Sequence, residues 1–431
     1  MLDSTYDEIK DALLEELGRE GKEIIGKVCE DIGSDLKNLE GDEADALMDS
    51  IYKEIKLSRG VEKAKEIKSK IRRYILLDQL KDLEEKNRSK IKEMKKFELR
   101  ENLGDVYIEL GNMENAQEQY QDMKLIAEEM DIEEMIIDSY EKLAKVFLQK
   151  SEFEKAEKEI KEGIERAKDS EYRIGEGKLV RRAGMASWRK SDHEEAVNYL
   201  KKALDIFEQS GDEEDLAFTY KRLGDIYGEM EEIEKSEENY LKAIDLFDEE
   251  GHDHERIISY MNMGVIRSLE DDWEKAAEHY IKSERLAHEK VYPNARAWCL
   301  FNLGESYIYL EEFDEAEKAL NKSIELLEDQ NDPLAEGGVN TKYGQLMLEK
   351  GEYEKAEEYL KESVEKLRGL GVPRYLADAL DELGKAQMKL EKFEEARENF
   401  EESIELFDGL DLLDRKEDVR FNLDELTKHL K

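Results

Sequence analysis

A small residue returns every 40 positions in this chain, as Gly104, Ala144, Gly184, Gly224, Gly264, Gly304, Gly344 and Gly384. The residue before it is large and apolar in most copies (Leu103, Leu143, Leu223, Met263, Leu303, Tyr343, Leu383), with Ala183 the exception. Twelve positions later stand Ala116, Ala156, Ala196, Ser236, Ala276, Ala316, Ala356 and Ala396. Eight copies with no insertion between origins require a repeat architecture, and this period signals a solenoid or a propeller. Within a unit, apolar or small residues fall at offsets −1, 0 and +3, then at +9, +12, +16 and +19. Each group occupies one face of a separate helix. Between the groups lies a turn, at Gly111, Ser151, Ser191 and Gly351 in four copies and at acids in the others. Each unit is therefore read as a helical hairpin, with alanine at +12 letting the two helices approach closely. A propeller is excluded, because nothing alternates with period two.

The 431 residues include only 3 prolines, and 42% of them are charged, which favours helices with wet outer faces. A hydrophobic content of 39% suits a thin solenoid whose units bury only their neighbour contacts. The net charge is −43, which argues against binding nucleic acid or an anionic membrane, because the attraction to phosphate is reversed. Adaptation to a salt-rich cytoplasm would leave a similar acidic excess. Cys29 and Cys299 are too few for a disulfide framework or a zinc site, so a reducing compartment is expected. The acidic N-terminus lacks the pattern of a secretory signal, and no run approaches the roughly 18 apolar residues of a membrane span. A soluble, cytoplasmic protein without a cofactor is expected.

Residues 1–58 fall outside the repeat. Leu13, Leu14 and Leu17, Ile24, Ile25 and Val28, and Leu47, Ile51 and Ile55 recur there at helical spacing and predict an acidic N-terminal helical bundle. Residues 59–96 predict a basic linking helix. From Lys53 to Arg100 there are 17 bases against 9 acids, so this segment should dock on the acidic remainder or serve as a partner-docking or dimerising coil. Residues 97–416 hold the eight hairpins. Residues 417–431 predict a polar capping helix, with Asn422-Leu423 in register with Asn302-Leu303 but Asp424 in place of the glycine. Hairpin three is the least regular, carrying Ala183, Ser187 and His193 where larger apolar residues are expected. Loose packing there marks a flexible point, unless Trp188 fills the gap.

The repeat resembles the tetratricopeptide family. Leu103-Gly104…Tyr107, Leu223-Gly224…Tyr227 and Leu303-Gly304…Tyr307 match its large apolar residue, glycine and tyrosine. Phe153, Trp273, Phe313, Tyr353 and Phe393 match the aromatic that opens its second helix, and Ala276…Tyr280 and Ala396…Phe400 match that helix further on. The period exceeds the usual 34 residues by six, which longer helices absorb. This is similar to the long-repeat subclass of Rap-type receptors, kinesin light chains and spindle-orientation adaptors. The resemblance implies an all-α fold, a right-handed α-solenoid. The family's closing proline is missing from most units, so looser inter-repeat turns are expected.

The resemblance implies no catalysis, and the residues supply no set that would add it. His252-Asp253-His254 falls in an inter-repeat turn without the further ligands zinc prefers. His279 and His288, nine apart on one helix, are read as surface residues, and Cys299 beside Trp298 as a packed thiol. No phosphate loop, dinucleotide fingerprint or nucleophile elbow is present.

What the resemblance does imply is a ligand in the groove lined by the first helices, with the residue two before each origin facing it. That position reads Asn102, Lys142, Arg182, Arg222, Asn262, Asn302, Lys342 and Glu382, basic or amide in seven of eight copies. Lys145, Lys178, Arg181, Arg189 and Lys221 add to the basic cluster in hairpins two to four. Phe218, Met261, Trp298, Phe301 and Tyr309 supply apolar and aromatic surface beside it. Arg and Lys hold carboxylates by charge-assisted hydrogen bonds, Asn pairs with backbone, and aromatic residues anchor. The expected ligand is a peptide or protein segment with acids flanking a hydrophobic anchor, bound by an interaction scaffold. The alternative for the bases is that they pair with acids on adjacent repeats and merely neutralise the groove. The alternative function is a ligand-responsive signalling or transcriptional regulator with the N-terminal helices as output module. Those helices are also the expected route to any homo-oligomer.

Overall fold

In the computed structural model the described residues are 51–52, 55, 66–73, 76–77, 80, 90–328, 333–410 and 412–429. The expected N-terminal bundle, apart from Ile51, Tyr52 and Ile55, lies outside them, as does Cys29. The described residues are helical with short turns and no strand. The chain divides into two units, Met1–His252 and Asp253–Lys431. Each is an α-solenoid of hairpins.

In the first unit the hairpins are α1 (Lys90–Glu109) with α2 (Met113–Met130), α3 (Glu133–Gln149) with α4 (Phe153–Asp169), α5 (Arg173–Arg189) with α6 (His193–Ser210), and α7 (Glu213–Glu229) with α8 (Ile233–Glu250). In the second they are α9 (Asp253–Leu269) with α10 (Trp273–Glu289), α11 (Pro293–Tyr309) with α12 (Phe313–Glu328), α13 (Pro333–Glu349) with α14 (Tyr353–Leu370), and α15 (Pro373–Lys389) with α16 (Phe393–Gly409). A last helix, α17 (Leu413–His429), packs on α16.

The repeat period has a packing cause. A Cβ added to Gly104 would stand 2.2 Å from the Tyr120 ring, and one added to Gly344 would stand 2.2 Å from Leu360 Cγ. The first helix of each hairpin thus lies directly against the large residue at +16 of the second, and only glycine or alanine fits between them. The small residue at +12 is fully buried in every hairpin, and where it is Ser236 the hydroxyl donates to the Gly224 carbonyl at 2.7 Å. In the second unit Ser283, Ser323, Ser363 and Ser403, at +19, are likewise fully buried and donate to Ile257, Ala297, Gly337 and Ala377. Each hydroxyl satisfies itself on a first-helix carbonyl, so small polar residues serve in the core without the cost of an unpaired group.

The turn inside each hairpin repeats as faithfully. The N–H of residue +8 donates to the carbonyl of +3 in all eight copies, from Asn112→Tyr107 to Lys392→Gln387. The residue at +7 is left-handed throughout, including Ser151, Ser191, Glu231, Asp271, Glu311 and Glu391. This is a helix stop in which a left-handed residue lets the last carbonyls be satisfied. Asn112, Asp192 and Asp272 then cap the following helix, accepting from the backbone N–H three residues on. Among the described residues the inter-repeat turns are not looser for want of proline. Asp131, Glu171, Gly211, Val291 and Gly371 adopt the same left-handed conformation and close them in two or three residues.

Three further expectations are corrected. His279 is buried, because it occupies the +15 position at which Gln119 and Asn239 are also buried. Trp188 does not fill the gap in hairpin three; its Nε1 donates to Glu229 at 2.6 Å and its ring packs against the buried cluster that includes Leu200 and Leu223. The C-terminal helix is not uniformly polar outward, since Leu413 and Phe421 are exposed. Cys299 is buried against Ser283, with Oγ to Sγ at 2.9 Å, and burial pushes its thiol up to about 12, as befits a packed thiol. Of the basic segment, Leu76 and Leu80 pack on Leu103 and Val106 of α1, and Arg72 Nη2 donates to Asn102 Oδ1 at 2.6 Å.

Candidate functional site

The first helices of the first unit expose one face in common. On α3 it carries Asp138, Lys142 and Lys145, and on α5 Lys178, Arg182 and Met185, each set spaced four and then three. That spacing stacks side chains along one side of a helix. With Phe218 and Arg222 of α7 they line a cavity of about 520 Å³. Seven of the expected groove residues meet here: Lys142, Lys145, Lys178, Arg181, Arg182, Phe218 and Arg222. Five acids meet them, from Glu101 of α1, Asp138 and Glu141 of α3, and Glu214 and Asp215 of α7.

Most of the bases are held by those acids. Arg182 Nε donates to Glu141 Oε1 at 2.6 Å, and Arg181 bonds both Asp215 Oδ1 at 2.5 Å and the Asp215 carbonyl at 3.1 Å. Lys142 Nζ sits 2.8 Å from Asp105 and 3.0 Å from Glu101. Arg222 turns to Asp225 on its own helix at 2.9 Å. Two cations are held more loosely: Lys145 Nζ is 3.6 Å from Asp105, and Lys178 Nζ is 3.5 Å from Asp215. Both separations exceed those of charge-assisted hydrogen bonds.

Titration follows the pairing. Burial alone would raise the Glu141 carboxyl, but Arg182, Lys142, Arg181 and Lys145 outweigh it and hold it at about 2. Asp138 goes the other way. Burial raises it to about 6, Glu141 and Glu101 add to the rise, and Lys178 and a 3.3 Å hydrogen bond from Tyr172 Oη only partly oppose it. Burial, with the like charges of Arg182 and Lys142, lowers the Lys145 ammonium. The site therefore contains an acid and a base that are both disfavoured as ions, the kind of perturbation that marks functional clefts.

The remaining residues of the expected set lie apart from this cavity. Asn102 is occupied by Arg72, and its Nδ2 donates to the Glu98 carbonyl at 2.9 Å. Arg189, at the end of α5, donates to the Leu148 carbonyl at 3.2 Å, and Lys221 is buried. In the second unit Met261 packs against the buried cluster that includes Tyr280 and Leu303, Trp298 meets Phe301 edge-on at 5.6 Å, and Tyr309 stacks on Trp273 at 4.0 Å. Lys342 pairs with Glu305. Asn262 and Asn302 are half-buried on α9 and α11. His252 packs edge-on against Phe218 and approaches Glu214 at 3.4 Å, while His254 lies against Tyr292 in the second unit.

Sequence reasoning overlooked the acids because carboxylates are abundant everywhere in this chain. The offset −3 register held a usable signal, since Glu141, Arg181, Lys221 and Asp381 are charged there and all four are buried.

A family model described as tetratricopeptide repeat matches residues 178–249, 255–329 and 338–408, and a second one matches residues 97–124. No match was found among curated proteins. Among the solved structures that share the fold are the following three. RapI in its apo form is 15% identical over 78% of this chain and 98% of its own, with a TM-score of 0.59. A signal transduction ATPase with numerous domains and a tetratricopeptide repeat sensor, from Pyrococcus horikoshii, is 15% identical over 96% of this chain and 65% of its own, also at 0.59. Aspartyl phosphate phosphatase F from Bacillus subtilis is 13% identical over 94% of this chain and 92% of its own, at 0.50. At these identities the likeness establishes the fold alone. No helix among the described residues is long and apolar enough to cross a membrane.

Proposed function

The chain belongs to the tetratricopeptide-repeat family, and on that footing we propose that it is an interaction scaffold that binds a peptide or protein segment in the cavity of the first unit. The segment carries acidic residues beside a hydrophobic anchor. One observation carries the reading: among cations fixed by carboxylates, Lys145 and Lys178 alone on this wall are left at ion-pair distances of 3.6 and 3.5 Å, next to Met185 and Phe218. An incoming carboxylate would give both ammonium groups the short hydrogen bonds they lack, and the apolar pair would take the anchor. The fixed cations Arg182, Arg181 and Lys142 set the local potential without needing to move, so little conformational entropy is lost on binding. Long-range repulsion from the net negative chain slows encounter with an acidic ligand, and salt screens that repulsion more than it screens contacts in the cavity.

The test uses a fluorescein-labelled peptide, Asp-Glu-Phe-Leu-Glu-Asp, and its charge-reversed counterpart with lysines. Wild-type chain should bind the acidic peptide and not the basic one. Lys145→Ala with Lys178→Ala should weaken binding about tenfold or more, as for loss of two charge-assisted contacts, with the helical circular dichroism unchanged. Equal binding of both peptides, or an unaffected double variant, would refute the reading.

A further inference from the structure

Hairpin three carries small residues at two neighbouring positions of its first helix where several of its sisters carry large ones. Where other hairpins place Leu143 and Phe147, Leu223 and Tyr227, or Leu303 and Tyr307, this one has Ala183 and Ser187. The volume those side chains would occupy stays open, as a cavity of about 340 Å³ on the side of the second helices. Ile160 and Ile164 of α4, Ala183 and Ala186 of α5 and Tyr199 of α6 form its walls. None of them lines the groove cavity.

The mouth is polar and specific. Ser187 Oγ donates to Glu195 Oε2 at 2.8 Å, which leaves the other carboxylate oxygen of an exposed Glu195 available as an acceptor. Glu157 is already paired with Lys190. Lys161, also at the mouth, is exposed on α4 and is not engaged by a described residue.

We propose that this cavity is a second binding site, which takes a tyrosine side chain of a partner protein segment with an acidic residue beside it. Size and lining suit an aromatic side chain, since binding cavities begin at roughly 300 Å³ and are mainly apolar with a few placed polar groups. The first, second, fourth and sixth hairpins show the chemistry that fits, because they fill the corresponding space with an aliphatic residue and an aromatic one. The Tyr199 ring offers an aromatic contact, and the Glu195 carboxylate accepts from a phenol hydroxyl at the mouth. Lys161 supplies charge complementarity to the neighbouring acid.

The experiment titrates the full chain with a fluorescein-labelled peptide, Ser-Glu-Tyr-Glu-Ser, and with the same peptide carrying Ala for Tyr. Wild-type chain should bind the tyrosine peptide at least about tenfold more tightly than the alanine one, as for an anchor residue. Ala183→Leu with Ser187→Tyr, which restores the sister pattern and fills the cavity, should abolish that preference while raising the melting temperature. Lys161→Glu keeps the cavity and should weaken binding several-fold with no change in melting. Because this peptide also meets the requirements of the groove, the comparison is repeated with Lys145→Ala and Lys178→Ala in place. There the tyrosine preference should persist and the filled cavity should still abolish it. Loss of the preference on removing the two lysines alone would assign it to the groove and overturn the proposal. Undiminished tyrosine preference in the filled variant, or no preference in the wild-type chain, would overturn the proposal. Should the filled variant not fold, unchanged binding in Lys161→Glu would overturn it equally.

Discussion

Replacing Asp138 by Asn should make the protein more stable at neutral pH, although Asp138 is a charged residue in a largely paired cluster. Its carboxyl is raised to about 6, against an ordinary value near 4. A rise means that the unfolded chain ionises first, so the group's stability contribution is complete below about pH 4. That contribution is lost as pH climbs through about 6. That rise corresponds to at most about 3 kcal/mol at pH 8. Asn keeps the size and can still accept from Tyr172, but it has no charge to desolvate beside Glu141 and Glu101. Asp138→Asn should therefore gain about 1–3 kcal/mol at pH 8 and almost nothing at pH 4. Urea unfolding followed by Trp188 fluorescence, with Trp273 and Trp298 replaced by Phe, reads the first unit alone. A gain independent of pH, or none at pH 8, would refute the assignment of an uncompensated carboxylate at this site.

Other consequences concern the fold and the fixed ion pairs. Arg182→Ala removes the guanidinium that hydrogen-bonds the buried Glu141 carboxylate while Lys142, Arg181 and Lys145 remain nearby, so it should cost about 1.5–3 kcal/mol, and Arg182→Ala with Glu141→Gln should recover most of it in the same assay. Gly344→Ala should destabilise by about 1–3 kcal/mol in thermal unfolding of the second unit, because its methyl would meet Leu360 at 2.2 Å. Glu391→Gly should stabilise by up to about 1 kcal/mol by relieving a left-handed glutamate at φ 59°, and no gain would show that this turn carries no strain.

The hairpins were legible because the chain repeats its tightest contact. Glycine or alanine at the origin and a large residue at +16 are forced by close helix approach, and any copy lacking them would not stack. The bases of the groove were legible for a related reason: Lys142, Arg182 and Arg222 share one register, which one face of successive helices must bring together. Their carboxylate partners were not, because 111 acidic residues leave no contrast against which Glu141 or Asp138 could stand out. Nor was the fate of Asn102, which is decided by Arg72 from a segment outside the period. The irregularity of hairpin three was visible as Ala183 and Ser187. Whether Trp188 would close the gap depended on its indole finding Glu229 of α7 instead, a contact 41 residues away.

Everything proposed for the groove turns on whether the first-helix cavity of the first unit holds an acidic, apolar-anchored segment. The most direct measurement places a photoreactive phenylalanine analogue at Met185 in the cavity and, in a second protein, at Lys158 on the outer helix α4. After irradiation with the labelled acidic peptide, the site of the covalent bond is read by mass spectrometry. Position 185 should cross-link in a way that excess unlabelled acidic peptide suppresses, and position 158 should give only background. Equal cross-linking from both positions, or cross-linking at 185 that the charge-reversed peptide suppresses as well, would contradict the proposed binding.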